Sequence, residues 1–383
     1  RGRLVTGSRT VAEAEFGALS WSNIVPIATA GIDFRVGDIH LDNGNFSVGF
    51  GDRSGVVGRS LPVDSDELAI RRELWLALDG AFKGATEQYA AKVAARAGRS
   101  SPRDGGPSLL PVHTETVEIR PPRGLDLTEV ERLARELSGR FSPFEGLEEG
   151  RVQVWETSAS DMLVSTDGPP TARRIDVAVV LAEAIVRAED GARIRGVRTW
   201  VVNELSELPD VASMATELED LGDDLISRRD APVQLDYLGP VIFEGSAAAE
   251  FFRQLLVPEI CGTPPAEVAP DPWETRVGTI SPSARLGRRL LPEGWTVDDR
   301  SASFSTAPGG SRIDVEGQPT RDVALVRDGV VQDLLMSRIP RANMHQSTGH
   351  GRSIGRSRRI PVNSIVQVIP KQNCKMKHLR KKA

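Results

Sequence analysis

The sequence predicts an α+β protein of two domains, and three observations lead there. The chain has 383 residues, more than one ordinary hydrophobic core accommodates. Segments of alternating apolar and polar residues are joined by Asp-Gly pairs, at Asp190-Gly191 and Asp328-Gly329, which favour tight hairpins and hence antiparallel pairing. Between them lie long stretches of helical period, so strands and helices follow one another as in an α+β domain with a mostly antiparallel sheet. The expected first domain, 1–235, carries that sheet and the long helices. The expected second domain, 236–383, is β-rich and entered through an alanine-rich helix.

Composition narrows the class. Hydrophobic residues make up 39% of the chain and charged residues 26%, as in a soluble globular protein. The net charge of -5 argues against a global nucleic-acid footprint. Two cysteines, Cys261 and Cys374, exclude a disulfide framework and suit a reducing, cytoplasmic compartment. No apolar run is long enough to span a membrane, and no signal peptide is evident. The five histidines are scattered, and no pair has the spacing of a zinc site. The first residue is Arg1, and the chain ends in a lysine-rich stretch where another helix starts, so both ends read as cut from a longer chain.

In order, Val11 to Trp21 and Ile24 to Asp38 alternate as half-buried strands. Asp42 and Asn43 read as turn formers, with a functional role as the alternative. Gly49, Gly51 and Gly55 make a flexible loop rather than a phosphate cradle, because Val56-Val57 follows where a helix is needed. Asp64 to Ala97 is the first long helix, with Asp64 and Glu67 as a capping box. Its core stripe is expected at Ile70, Leu74, Leu78 and Phe82, with Trp75 beside it. Gly98 to Pro111 is a loop and Val117 to Arg120 a short strand. A second helix, Leu127 to Ser138, is capped by Asp126 and Glu129 and stapled by Leu125 and Val130. Arg151 to Trp155, Met162 to Thr166, Ile175 to Leu181 and Ile194 to Val202 are strands. Val211, Met214, Leu218, Leu221 and Leu225 line a third helix.

The stretch from Asp236 to Gly262 organises the second domain. An extended apolar run, Val241-Ile242-Phe243, leads into a helix from about Ser246 to Val257 that Pro258 should stop or divert. Ala247, Ala248 and Ala249 let this helix approach another element closely, and Phe251, Phe252, Leu255 and Leu256 are its expected buried side. Beyond a proline-rich crossing, Gly262 to Pro282, come a strand at Trp295 to Asp299, strands at Arg312 to Glu316, Thr320 to Arg327 and Val330 to Met336, and a strand from Pro361 to Pro370. Asp298 and Asp299 point to opposite faces of their strand and make a poor chelating pair.

The order Gly-Pro run, alanine-rich helix, Asp-Asp strand, Pro-Thr hairpin and Thr348-Gly349-His350-Gly351-Arg352 loop resembles the TldD/PmbA family, also described as modulators of DNA gyrase. The likeness is good over 231–370 and diffuse before that. In the TldD branch the helix carries an H-E-x-x-x-H zinc-peptidase motif, in which imidazoles ligate the metal and the Glu takes a proton from bound water. Aligned on Gly239-Pro240, those positions fall on Arg253, Gln254 and Pro258. Arginine is a cation without a free lone pair, glutamine is no base, and proline offers no ligand. The family's further cysteine ligand would lie beyond Ala383, so neither Cys261 nor Cys374 matches it.

The resemblance therefore implies the PmbA-like pattern: a non-catalytic subunit with no zinc of its own, partnered by a TldD-like chain or by a second copy, and assisting proteolysis or peptide maturation. An active metallopeptidase with other ligands, or a peptide-binding or regulatory module, are the alternatives. A DNA-related role is disfavoured by the charge. Thr348, Gly349, Gly351 and Arg352, where histidine at 350 replaces the family's asparagine, are the candidate contacts to peptide or partner, with a tight turn as the plain alternative.

Overall fold

The computed structural model describes residues 1–47, 55–64, 66–97, 107–112, 121–233, 236–262, 264, 267–268, 286–341, 344, 346–354, 358–362 and 364–371. Its first half is built on β1 (Gly2–Glu15) and β2 (Ala18–Asp33), a long antiparallel hairpin. The turn sits at Phe16 and Gly17, both with positive φ, so the expected continuous strand from Val11 to Trp21 is in fact two strands. β3 (Phe46–Ser47) and β4 (Val56–Ser60) follow, and β4 pairs with β2. β5 (Leu147–Ser165), β6 (Gly168–Arg187) and β7 (Arg193–Val202) complete a six-stranded antiparallel sheet in the order β4-β2-β1-β5-β6-β7. The two expected strands at Arg151 and Met162 are one, because β1 and β6 pair with it continuously through the polar stretch between them. The Asp190-Gly191 turn falls between β6 and β7 as expected, with φ +86 at Gly191.

Helices α1 (Glu67–Ala97), α2 (Leu127–Ser138) and α3 (Val211–Arg229) belong to this half. Asp126 caps α2 by accepting from Thr128 N, and Asp210 caps α3 by accepting from Ser213 N. α2 and α3 lay Val130, Leu133, Leu137, Met214, Leu218 and Leu225 onto β-sheet residues such as Val152, Val154 and Val180, which forms the main core. α1 departs from expectation twice. Its cap is Asp66, whose Oδ1 accepts from Leu68 N and Ala69 N, rather than Asp64. Its buried face is Ala77, Ala81, Gly84 and Ala85, then Gln88 and Lys92, while Trp75, Leu78 and Phe82 are exposed. Small side chains let the helix close onto Ile32, Phe34 and Val57, and that approach outweighs the larger apolar stripe.

The second half is entered through α4 (Gly245–Ile260). The apolar run before it, Val241 to Phe243, forms no strand. Pro258 does not end the helix. It lies on the exposed side, where water can satisfy the carbonyl it frees, while Leu256 and Ile260 anchor the last turn in the second core. That core holds β9 (Thr296–Asp299), β10 (Val323–Arg327), β11 (Val330–Val331) and Leu334 to Met336. β8 (Glu267–Val268) pairs in parallel with β3. β12 (Gly351–Ile354) and β13 (Arg358–Pro361) form a hairpin, and β14 (Val366–Ile369) pairs with β9. Asp328 and Gly329 make the expected turn of β10 and β11. Arg312 to Glu316, expected as a strand, is a tight loop bridged once, between Ile313 and Pro319. The architecture is the α+β one expected, a large antiparallel sheet with long helices followed by a β-rich part entered through the alanine-rich helix. The expected loop from Gly98, the strand at Val117 to Arg120, Gly49, Gly51 and Cys374 lie wholly or largely outside the described residues.

Candidate functional site

Where the two halves meet, a cavity of about 840 Å³ opens beside β6. One wall is the first part of that strand, Thr171 to Val177, and the other is the loop from Ser305 to Val315. β7 pairs with β6 only from Ala178 onward, whereas β5 pairs along nearly its whole length. Among the described residues, then, no strand covers the outer edge of Thr171 to Val177, and these residues line the cavity.

Charge is distributed unevenly along this cavity. At the Thr171 end, Arg3 and Arg173 converge on Asp161, at 2.6 and 2.8 Å. Burial alone would raise the Asp161 pKa, but the two guanidinium groups outweigh it and hold the pKa below the usual carboxylate value. Arg173 also donates to Ser311 Oγ at 2.9 Å, tying the sheet to the opposite loop. At the Val177 end, Asn203 Nδ2 donates to Thr306 O at 2.9 Å, and Asp176, Glu204 and Glu207 line the wall.

The Thr348 to Arg352 loop reaches this cavity only through its last residue. Thr348 Oγ1 accepts from Met336 N at 2.8 Å and is fully buried. Gly349 has φ +70, and a Cβ there would meet Pro319 O at 2.2 Å. His350, also fully buried, holds Thr348 O through Nδ1 at 2.9 Å and Asp299 through Nε2 at 3.0 Å. Gly351 N donates to Asp314 Oδ2 at 2.8 Å. Arg352 lines the cavity. It donates to Gly351 O and to Ser364 Oγ, both at 3.0 Å, and among the described residues it forms no ion pair. Burial lowers its pKa, with Arg173 and Arg3 adding to the effect against the pull of Asp314 and Asp299.

Buried carboxylates sit beneath the loop. Asp314 accepts from three backbone donors, of Glu316, Gln318 and Gly351, yet burial and the neighbouring Glu316 push its pKa up to about 6. Asp299 is buried, while Asp298 turns to Arg327 at 2.5 Å, so the adjacent aspartates do face opposite ways. A third polar cluster joins α1 to the Asp42 loop. Lys92 donates to Gly44 O at 2.7 Å and stands 3.8 Å from both Asp42 and Glu267. Asn43 donates to Gln88 at 3.0 Å. Asp42 and Asn43 are thus turn residues that also anchor a helix.

The positions of the zinc motif lie elsewhere, on the outer face of α4. Arg253 pairs with Glu250 at 2.6 Å, and Gln254 Nε2 donates to the same carboxylate at 2.7 Å. These bonds bring the Glu250 pKa down to about 2. Arg253, Gln254 and Pro258 are all exposed. A cation, an amide already engaged and a pyrrolidine ring do not fit a zinc ion. Among the described residues, no group of three or more His, Cys, Asp and Glu side chains is arranged to hold a metal. Among the described residues, most of α4 also packs against little: Phe251 is 38% and Leu255 58% exposed, and Ala247 and Ala249 face outward. Phe251 stacks only on Phe243, at 4.7 Å, and meets Phe252 edge-on. Of the expected buried side, Leu256 alone is fully inside.

Among the described residues, no helix is long and apolar enough to cross a membrane. No protein of curated function matches the chain. Residues 237–381 match the PmbA/TldA metallopeptidase C-terminal domain. The fold resembles TldE from Thermococcus kodakarensis, with a TM-score of 0.61 and 16% identity over 99% of this chain and 76% of that one. It also resembles a protein of Thermotoga maritima described as a candidate modulator of a DNA gyrase, with a TM-score of 0.60 and 12% identity over 96% of this chain and 73% of that one. A similarly described protein of Bacteroides thetaiotaomicron gives 0.59 and 10%, over 96% and 72%. At such identities the structural likeness speaks for the fold, and the domain match carries the assignment for the stretch it covers: over residues 237–381 the chain carries the C-terminal domain of the PmbA/TldA metallopeptidase family.

Proposed function

We propose that this chain is a non-catalytic TldD/PmbA-type subunit that holds an extended peptide for proteolysis or maturation by a TldD-like partner. The observation that carries the reading is the chemistry of Arg253, Gln254 and Pro258, where no side chain can ligate zinc or serve as base. Peptide holding is supported by the open edge of β6 along the cavity, since a bare strand edge binds a further strand through main-chain hydrogen bonds whatever the sequence. A partner is supported by the exposed apolar side chains at Tyr237, Leu238, Val241, Phe243 and Leu255, an uncommon concentration on a free surface. The reading takes the domain border at 235/236, a cytoplasmic setting as the cysteine usage suggests, and no dedicated nucleic-acid role.

The test is zinc content per chain, measured on the protein alone and after co-expression with a TldD-like chain. No zinc alone, with zinc and chelator-sensitive peptide cleavage only in a co-purified complex, is the expected result. One equivalent of zinc in the isolated chain, with cleavage, would return the protein to the active peptidases.

A further inference from the structure

We infer that a peptide in the cavity runs antiparallel to β6 and places its C-terminal carboxylate on Arg352, an inference that rests on the peptide-holding role proposed above.

The argument begins with direction. β7 runs antiparallel to β6 and leaves it at Val202, opposite Ala178. A peptide strand that extends the same row starts beside Asn203 and travels toward Thr171. Seven residues of β6, Thr171 to Val177, are open to it, a span of about 20 Å at the strand rise per residue. Its carboxyl end therefore arrives at the end of the cavity where Arg3, Arg173 and Arg352 stand.

Charge agrees with that polarity. Arg3 and Arg173 are already neutralised in part by their shared Asp161. Among the described residues Arg352 has no carboxylate ion-pair partner, and its two hydrogen bonds there engage only two of its five donors. A half-buried guanidinium at the wall of a cavity is suited to a planar, bidentate anion, which is what a terminal carboxylate presents. At the opposite end, among the described residues, Arg123 and Arg174 share Asp176 and Glu204, and Glu207 adds a carboxylate that neither of them pairs, the sign that suits an amino terminus. Arg352 is also held in place: Gly351 before it is bound to Asp314, and Ser364 fixes its guanidinium. A side chain fixed in advance loses less entropy when it binds.

The test uses the whole protein and fluorescein-labelled heptapeptides of alternating threonine and valine, read by fluorescence anisotropy. One peptide ends as the free acid, one as the amide, and one as an amide whose last residue is glutamate. The free acid should bind about 10-fold more tightly than the plain amide, as expected for a charge-assisted pair. In Arg352→Gln the acid and amide should bind alike, and Arg352→Lys should recover part of the preference. A photo-crosslinking first residue should label the segment around Asn203. Equal binding of acid and amide by the unmodified protein overturns the carboxylate assignment and leaves the peptide role standing. So does a glutamate-ended amide that matches the acid, because the terminus is then not what is read. An acid preference that survives Arg352→Gln overturns the choice of residue, and crosslinking around Arg352 overturns the direction. Failure of all three peptides to bind sinks this inference together with the peptide role itself.

Discussion

α4 and the Thr348 to Arg352 loop both belong to the stretch that matches the family's C-terminal domain, and they are opposite in kind. The helix offers solvent Ala247, Ala249, Phe251, Leu255 and all three positions of the zinc motif. The loop is packed so closely that Thr348 and His350 are fully buried and every polar group of those two side chains has a partner. The difference separates two ways of keeping a scaffold. A residue in the loop is held by hydrogen bonds from several elements, so a change there strands a buried donor or acceptor. A residue on the outer face of α4 touches little, so His, Glu and His are replaceable by Arg253, Gln254 and Pro258 at little cost to the fold.

The widest break in that comparison comes from two glycines. Gly349 and Gly245 both have positive φ, at +70 and +55. A Cβ at Gly349 would stand 2.2 Å from Pro319 O, whereas at Gly245 nothing lies within 4 Å. Gly349→Val should therefore lose roughly 4 kcal/mol or prevent folding, since strain and a backbone clash add. Gly245→Ala, at the start of α4, should lose only about 1–2 kcal/mol from the left-handed conformation. Urea unfolding of the two variants measures both, and equal losses would mean that the loop is not the tighter region.

Next in size are the carboxylates under the loop, which respond to pH with opposite sign. Asp314 is raised from 3.8 to about 6, so its neutral form is favoured on folding. Stability from this group is full below about pH 4 and lost as pH rises through 6, a change of roughly 3 kcal/mol from the size of the shift. For Asp299, burial favours the neutral form, but His350, Ser301 and Ser364 outweigh it and the pKa is lowered. Its contribution is present above the ordinary carboxylate pKa and is lost as pH falls through the lowered one. Relative to the unmodified protein, Asp314→Asn should gain stability between pH 4 and 7. Asp299→Asn should lose more at pH 7 than in acid. Unfolding midpoints at several pH values check this, and parallel profiles would remove the distinction between the two groups.

Much of the fold was legible because its signals are local. Asp126 caps its helix by reaching two residues forward, and Asp190-Gly191 and Asp328-Gly329 turn within themselves. The buried face of α1 was not legible. Alanine, glycine, Gln88 and Lys92 carry no apolar stripe, and only the partners Asp42, Asn43 and Glu267, supplied by distant segments, explain why they are inside. The candidate site divides the same way. Arg352 is visible in a short motif, but nothing in the spacing points to Arg3, Asp161 and Arg173, and β-sheet register brings Arg3 to Asp161 across 158 residues. The edge of β6 is visible only once β7 is seen to stop at Val202.

Thr348→Val comes third. It keeps the shape and removes the hydroxyl that accepts from Met336 N, leaving a buried donor unpaired, so about 2 kcal/mol should be lost. If denaturant midpoints show no loss, a replacement acceptor must reach Met336 N.

The smallest effect is expected on α4, and it sharpens the comparison most. Ala247 is exposed, so Ala247→Trp overpacks nothing within this chain and should change its stability by less than about 0.5 kcal/mol. The neighbouring Ala248, expected from sequence to lie in close packing, is only half-buried. Replacing Arg253, Gln254 and Pro258 together with His, Glu and His should be equally mild, and should bring no chelator-sensitive cleavage, since a cation, an amide and a ring give way to a partial ligand set. A large fall in melting temperature at Ala247→Trp would show that the helix packs against something the isolated chain does not supply. Size measured before and after the substitution would then tell whether that something is a second copy. Unchanged stability, with loss of co-purification of a TldD-like chain, would assign the exposed alanine face to the partner.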